Sequence, residues 1–289
     1  MPGDLNTAPI FLVGPPRSGT TWLSLAFERS DELAFIREPR QIWEWGHWFR
    51  PHEHLTEADA TFLVKRHIRR RFEKLVRRTG RARLCDKTPS NSLRLRFIHE
   101  IYPSGRFVFI VRDGRAVIRS TAEVQERNLT WRKYGKRILL RISQSSLTDL
   151  IGVASRYHFI TAKLAGRPIR DWGTHPPGWQ EWASIGDAAI IRAKQWAKTV
   201  EVALDDLDRL PRGTWHLVRY EDLVASPKEE MDKILDFVEL RNRGPVLDYM
   251  VATADPSRKD KWHKELGGEE LDRVRPIMEP MMTRLQYTW

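Results

Sequence analysis

Cysteine is nearly absent. Cys85 is the one thiol among 289 residues, so no internal disulfide framework holds this chain together. Apolar runs are short as well, and none approaches the ~18 residues of a membrane-crossing helix. The opening Met1-Pro2-Gly3-Asp4-Leu5-Asn6 lacks the charged and apolar regions of a secretory leader. These absences lead to the expectation of a soluble, cytoplasmic protein. No repeat or low-complexity tract is visible, and one domain over 1–289 with insertions is the expected organisation. Negative charge is also in deficit: 38 Asp and Glu stand against 49 Lys and Arg, a formal charge of +11. Anionic partners follow from that surplus, without a distinction among nucleotide, nucleic acid and membrane surface. A hydrophobic content of 41% suffices for a sizeable core and argues against disorder.

The most informative stretch is Ile10 to Phe27. Four apolar residues run into Gly14-Pro15-Pro16-Arg17-Ser18-Gly19-Thr20-Thr21, and Trp22, Leu23, Ala26 and Phe27 then recur at helical spacing. Strand, glycine loop and helix make an anion cradle, because successive backbone N–H groups and the positive helix end point into one concavity. The spacing of Gly14 and Gly19 fits the Walker A pattern, but Thr20 stands where its lysine belongs. The cation has moved to Arg17. A planar fork and three hydroxyls suit an anion whose charge is laid out differently from a nucleoside triphosphate.

Two further strands carry cations at their ends. Arg83-Leu84-Cys85-Asp86-Lys87-Thr88-Pro89 is a short strand ending in a lysine, with Ser90 or Asn91 placed to cap the next helix. Arg106 to Val111 is a buried strand followed by Arg112-Asp113-Gly114-Arg115 and a helix that carries Ser120. Leu33 to Ile36 reads as a second strand and delivers Arg37-Glu38-Pro39-Arg40 to the same end of a parallel sheet, where α/β folds place ligands.

Pro-Arg-Ser-Gly-Thr-Thr within this frame resembles the phosphosulfate-binding loop of sulfotransferases that use 3′-phosphoadenosine 5′-phosphosulfate (PAPS), and most closely that of the bacterial and tyrosylprotein branches. The resemblance covers about 10–40, 83–122, 194–238 and, weakly, 255–264. It implies an α/β fold: a P-loop-type parallel β-sheet with helices on both faces and a helical or irregular insertion, about 128–184. It implies cofactor contacts from Arg17, Ser18, Gly19, Thr20, Thr21 and Trp22. Lys87 matches a lysine that helps hold the phosphosulfate, Arg112 and Ser120 match the pair on the 3′-phosphate, and Tyr220 of Arg219-Tyr-Glu-Asp-Leu matches a tyrosine on the adenine side. Lys261 of Lys-Trp matches a C-terminal lysine that reaches the cofactor; a solvated charge run is the alternative there. The tyrosylprotein branch has a second arginine where Val124 stands here, so that contact is lost or has moved to Arg127. Glu38 lies at the spacing of that branch's proposed base, although Pro39 replaces a threonine; read as a residue alone, it is a surface partner for Arg37 or Arg40.

The implied reaction is in-line transfer of SO₃ to an acceptor hydroxyl or amine, leaving adenosine 3′,5′-bisphosphate. Glu38 takes the acceptor proton, while Arg17 and Lys87 meet charge growing on the departing phosphate. No metal is expected, since Arg112, Lys87 and Arg219-Tyr220 occupy the strand ends where a Walker-B-like carboxylate would stand. A Mg²⁺-ATP kinase and a non-enzymatic nucleic-acid binder are the alternatives, but nucleic acid is not the expected partner. A small molecule, a carbohydrate or a peptide is the expected acceptor.

Other stretches stay open. Trp43, Trp45 and Trp48 either pack the core or wall a sugar or phenol site, and His47, His52 and His54 show no metal-ligand spacing. Residues 57–78 predict a basic amphipathic helix with Phe62, Ile68, Phe72, Leu75 and Val76 on its apolar face. Its cations form a solvated face or a docking surface for an acidic acceptor, nucleic acid or anionic lipid. The 128–184 insertion is expected to cover the cofactor and shape the acceptor pocket, with a structural subdomain as the alternative. A helix is expected over Asp187–Leu207, another opens at Ser226 with a capping box and Pro227, and the segment from Glu269 reads as a surface helix.

Overall fold

The computed structural model describes residues 8–126, 173–182, 184–258 and 262–289. Its centre is a sheet of five strands: β1 (Ile10–Val13), β2 (Leu33–Arg37), β3 (Arg83–Lys87), β4 (Arg106–Val111) and β5 (Trp215–Arg219). Their order is β2-β3-β1-β4-β5 and every pairing is parallel. Ile10 lies opposite both Cys85 and Arg106, Arg37 opposite Lys87, and Val111 opposite Arg219. A parallel sheet covered on both faces needs strands that are apolar on both sides, which Ile-Phe-Leu-Val and Phe-Val-Phe-Ile-Val supply.

Alternation along the strands divides the core into two layers. Phe11, Val13, Ala34, Ile36, Leu84, Phe107, Phe109 and Val111 face one layer. There they meet α2 (Phe62–Thr79), α3 (Leu95–Ile101), α4 (Gly114–Glu126), α5 (Ala188–Leu207) and α9 (Gly268–Arg284). Ile10, Leu12, Leu33, Cys85, Val108, Ile110 and Val218 face the other. That layer is closed by α1 (Thr20–Phe27), α6 (Tyr220–Ala225), α7 (Pro227–Phe237) and α8 (Gly244–Thr253). Each fully buried Phe or Ile contributes ~1.5–3 kcal/mol relative to exposure. The connection leaving β1 goes to one face and that leaving β4 to the other. Neighbouring strands with diverging connections open a crevice at their carboxyl ends, the general ligand position in such sheets. No helix among the described residues is long and apolar enough to cross a membrane.

Several local expectations are corrected. Helix α2 starts only at Phe62, after a turn at Glu57–Asp59 where the Asp59 carboxylate accepts from the Thr56 N–H and hydroxyl. Phe62 is 72% exposed and lies off the buried stripe of Val64, Ile68, Phe72 and Val76. Neither Ser90 nor Asn91 caps α3; Asp206 does so from α5, its Oδ2 accepting from the N–H groups of Leu95 and Arg96 at 2.9 and 3.3 Å. Ser226 makes no side-chain cap, although Pro227 does open α7 and Met231, Ile234, Leu235 and Val238 are buried as expected. The last helix is not merely superficial, since Val274, Met278 and Met282 enter the core. Trp43 is buried and Trp45 packs against the core, stacked on His67 at 4.1 Å between ring centres.

Most of the 128–184 insertion lies outside the described residues, as does Arg127. Its far end is anchored: Glu53 N–H donates to the His175 carbonyl at 2.8 Å, His175 N–H to Glu53 Oε2 at 2.9 Å, and Gln195 Nε2 to the Thr174 carbonyl at 2.6 Å.

Candidate active site

The loop after β1 is shaped by two glycines. A Cβ at Gly14 would stand 2.2 Å from the Ile110 carbonyl oxygen, so β1 and β4 approach too closely there for any side chain. Gly19 has φ +94° and a Cβ on it would meet Tyr220 Cδ2 at 2.5 Å. Arg17 also adopts a positive φ, 71°, an arrangement that costs a non-glycine residue ~1–3 kcal/mol and is held only where surroundings enforce it. Ser18 is fully buried, and its hydroxyl has no hydrogen-bond partner among the described residues. Buried polar atoms are nearly always satisfied, so an orphan hydroxyl at a helix N-terminus marks a place for a polar ligand.

Three other elements close on this loop. Arg17 Nε donates to Ser120 Oγ of α4 at 3.0 Å, and Arg112 Nη1 to the Arg17 carbonyl at 3.5 Å. The Arg112 guanidinium lies 4.4 Å from the centre of the Tyr220 ring, which meets the Trp22 indole edge-on at 5.9 Å. Trp22 in turn donates to Thr253 Oγ1 of α8 at 2.9 Å. The family resemblance implies Arg112 and Ser120 as a phosphate-holding pair; in the structure Arg17 is bonded to both residues. Thr253 had no sequence signal, because its contact depends on α8 lying beside α1.

The second half of the site joins β2 to β3. Glu38 has φ +50°, and its N–H donates to the Lys87 carbonyl at 2.9 Å, continuing the β2–β3 ladder by one residue. Lys87 Nζ then reaches Glu38 Oε1 at 2.8 Å and Thr21 Oγ1 at 3.3 Å. One ammonium thus bridges the β2 end to the glycine loop. Lys87 is 3% exposed; burial lowers its pKa, and the Glu38 carboxylate works in the opposite direction. Arg37 is bonded to Glu28 at 2.8 Å, Arg40 faces Glu53 at 3.7 Å, and Glu38 pairs with Lys87.

Asp86, the residue before Lys87 in β3, was missed by sequence reasoning, and flanking charges at Arg83 and Lys87 gave it no distinguishing signal. It is fully buried, with Trp43 Nε1 and Asn91 Nδ2 donating to Oδ2 at 3.2 and 2.8 Å and the Thr88 hydroxyl 3.0 Å from Oδ1. Burial pushes its pKa up to about 7. Lys261 lies outside the described residues; its neighbour Trp262 is buried with the Arg115 guanidinium 4.2 Å from its ring centre. Among the described residues no group of three or more His, Cys, Asp or Glu is gathered to hold a metal ion.

The model of the Sulfotransferase family matches residues 9–157 and 171–243. A protein-tyrosine sulfotransferase of Drosophila melanogaster is 31% identical over 121 residues, 38% of this chain and 24% of that protein. Protein-tyrosine sulfotransferase 1 of Danio rerio is likewise 31% identical over 121 residues, covering 34% of its length. The matched part is therefore about a quarter to a third of these relatives. The sulfotransferase domain from the curacin biosynthetic pathway has the same fold, with a TM-score of 0.59 over 97% of this chain and 98% of that one at 15% identity. That from the Synechococcus PCC 7002 olefin synthase gives a TM-score of 0.56 over 98% and 95%, at 16% identity. With the family match running over most of its length and the five-stranded parallel sheet to support it, this chain belongs to the sulfotransferase family.

Proposed function

We propose that the protein transfers a sulfuryl group from PAPS to an acceptor hydroxyl. The observation that carries this is the Lys87 ammonium shared between Glu38 and the glycine loop, which sets a base and a cation side by side at the strand ends. The residues fit the donor: the orphan Ser18 hydroxyl and a cradle that a Cβ at Gly14 or Gly19 would fill suit its phosphosulfate. Ser120 and Arg112, each bonded to Arg17, supply a second anion site for the 3′-phosphate, and Tyr220 and Trp22 offer aromatic faces for adenine. Lys261 is retained as a further contact on the family resemblance.

When bound, the donor supplies an activated SO₃ group whose bond to the 5′-phosphate breaks as the acceptor oxygen attacks. Glu38 accepts the acceptor's proton, and its hydrogen bond to Lys87 holds the carboxylate in place before that happens. Lys87 and Arg17 stabilise the negative charge left on the phosphate. Positive charge comes from side chains, so turnover in EDTA is expected. The acceptor to test first is a tyrosine-bearing peptide, on the names of the relatives. We place the protein in the cytoplasm, in keeping with its single buried thiol.

Thermal unfolding with adenosine 3′,5′-bisphosphate against ATP, with and without Mg²⁺, tests the ligand. A ligand at a hundred times its Kd stabilises by ~2.7 kcal/mol, readily seen as a melting shift. Glu38→Gln should retain that shift while lowering kcat with PAPS by about 10²–10⁴. Protection by ATP–Mg²⁺ alone, or a Glu38→Gln enzyme of unchanged rate, would overturn the reading.

A further inference from the structure

Helix α2 takes no part in that chemistry. Its buried stripe is Val64, Ile68, Phe72 and Val76. At ~100° per residue, Leu63, Arg66, Arg70, Lys74 and Arg77 fall within an arc of about 80° directly opposite. All five are exposed and Arg78 flanks them, while Arg69 turns inward, its Nε donating to the Ile101 carbonyl at 2.8 Å. One acid stands beside the row, Glu73, 4.0 Å from Arg77. Phe62 and Leu63 begin the row at 72% and 63% exposure. Phe49, 82% exposed, sits in a loop fastened to the turn before α2, where Arg50 is bonded to the Asp59 carboxylate and the His47 ring lies 3.2 Å from the Asp59 carbonyl. Cations thus run along the outer face, with large apolar side chains in water at one end of it.

Nucleic acid would match the cations and leave Phe49, Phe62 and Leu63 without a counterpart. An acidic polypeptide would do the same. An anionic bilayer meets both: its phosphates pair with the cationic row, and its headgroup–acyl boundary takes up the apolar side chains. We propose that α2, with Phe49, docks the protein on a membrane surface rich in anionic phospholipid. Helix α2 ends at Thr79 and β3 starts at Arg83, so α2 runs antiparallel to the strands beside it. Phe62 and Leu63 consequently lie at the end of the sheet that carries Glu38 and Lys87.

Co-sedimentation with sucrose-loaded vesicles tests this, using phosphatidylcholine alone and phosphatidylcholine with about one-third phosphatidylglycerol. Binding is expected to the phosphatidylglycerol vesicles only, and to fall at least about tenfold in high salt, where the Debye length is a few Å. Arg66→Glu/Arg70→Glu/Lys74→Glu should abolish it, and the milder Arg66→Gln/Arg70→Gln/Lys74→Gln should weaken it at least about tenfold. Phe62→Ser/Leu63→Ser should weaken it about fivefold or more by removing the inserted side chains. Unchanged melting temperatures for these exposed positions show that each variant is folded. The proposal is overturned if the protein ignores both vesicles, binds them equally, or binds through the charge-reversed variant as well as the wild type. Tighter binding to duplex DNA or poly-glutamate than to phosphatidylglycerol vesicles overturns it too.

Discussion

At the scale of single residues, Asp86 shows how a buried acid is held. The Thr88 hydroxyl donates to Oδ1 while Oδ2 accepts from Trp43 Nε1 and Asn91 Nδ2, so three donors surround a carboxyl that burial keeps from ionising. The folded chain keeps this proton up to about pH 7, whereas an ordinary aspartate releases it near 3.8. The resulting stabilisation is fully present below the lower value and is lost as pH rises through the upper one. Asp86→Asn keeps the shape and cannot ionise: its carbonyl accepts from Trp43 and Asn91, and the Thr88 hydroxyl, turned to accept, takes its amide N–H. We predict that wild-type stability declines by on the order of 3 kcal/mol between about pH 4 and pH 7, and that Asp86→Asn removes this slope. Urea unfolding across that range measures it, and identical slopes for the two proteins would show that Asp86 stays ionised. Asp86 also links β3, next to Lys87, to Trp43, five residues beyond Glu38, so the same acid helps position the Glu38–Lys87 pair.

At the scale of elements, what the sequence displayed was whatever is built from neighbours in the chain. The strand, glycine loop and helix of 10–27 are one such unit, as are β4 with the turn after it, because a buried run, a turn and a helical stripe are all local patterns. Lys87 and Glu38 were each recognisable from motif resemblance, but their hydrogen bond was not. It arises because Arg37 pairs with Lys87 across two strands, a register that no local pattern reports. Helix α3 makes the same point about caps, since its capping group comes from 111 residues away. Asp206 is 3% exposed, accepts from Leu95 N–H and Arg96 N–H, and pairs with Arg96 Nε at 2.8 Å. Asp206→Ala would strand two helix N–H groups and leave the Arg96 guanidinium with Glu57 as its carboxylate partner. We predict a loss of ~2–4 kcal/mol in chemical denaturation, against about 1 kcal/mol for Ser90→Ala, whose hydroxyl accepts one long bond from Arg94 Nη2 at 3.4 Å. Equal effects at the two positions would restore the local cap.

At the scale of the whole molecule, the ligand crevice is formed by segments far apart in the sequence, and residues 285–289, here called the tail, hold two of its sides. Tyr287 Oη donates to Glu221 Oε2 at 2.6 Å, and Glu221 Oε1 accepts from the Asp113 N–H at 3.0 Å. Burial and the neighbouring carboxylate raise the Tyr287 pKa, which keeps the phenol a donor. Arg115 pairs with Asp113 at 2.7 Å and donates to the Thr288 carbonyl at 2.8 Å, its guanidinium near the rings of both Trp262 and Trp289. Residues 285–289 therefore tie the turn just after Arg112 to the turn that carries Tyr220, and these two residues are stacked on each other across the crevice. Deleting 285–289 removes the buried Leu285 and Tyr287 and releases Glu221 and Arg115 together. We predict a lower melting temperature and about tenfold weaker binding of adenosine 3′,5′-bisphosphate, because Arg112 and Tyr220 lose their shared brace. Tyr287→Phe, which keeps the ring and removes one hydrogen bond, should cost only ~1 kcal/mol of stability. Calorimetric titration of both variants separates the possibilities: full affinity in the truncated protein, with only its melting point lowered, would mean that the tail holds the core and has no hold on the nucleotide side.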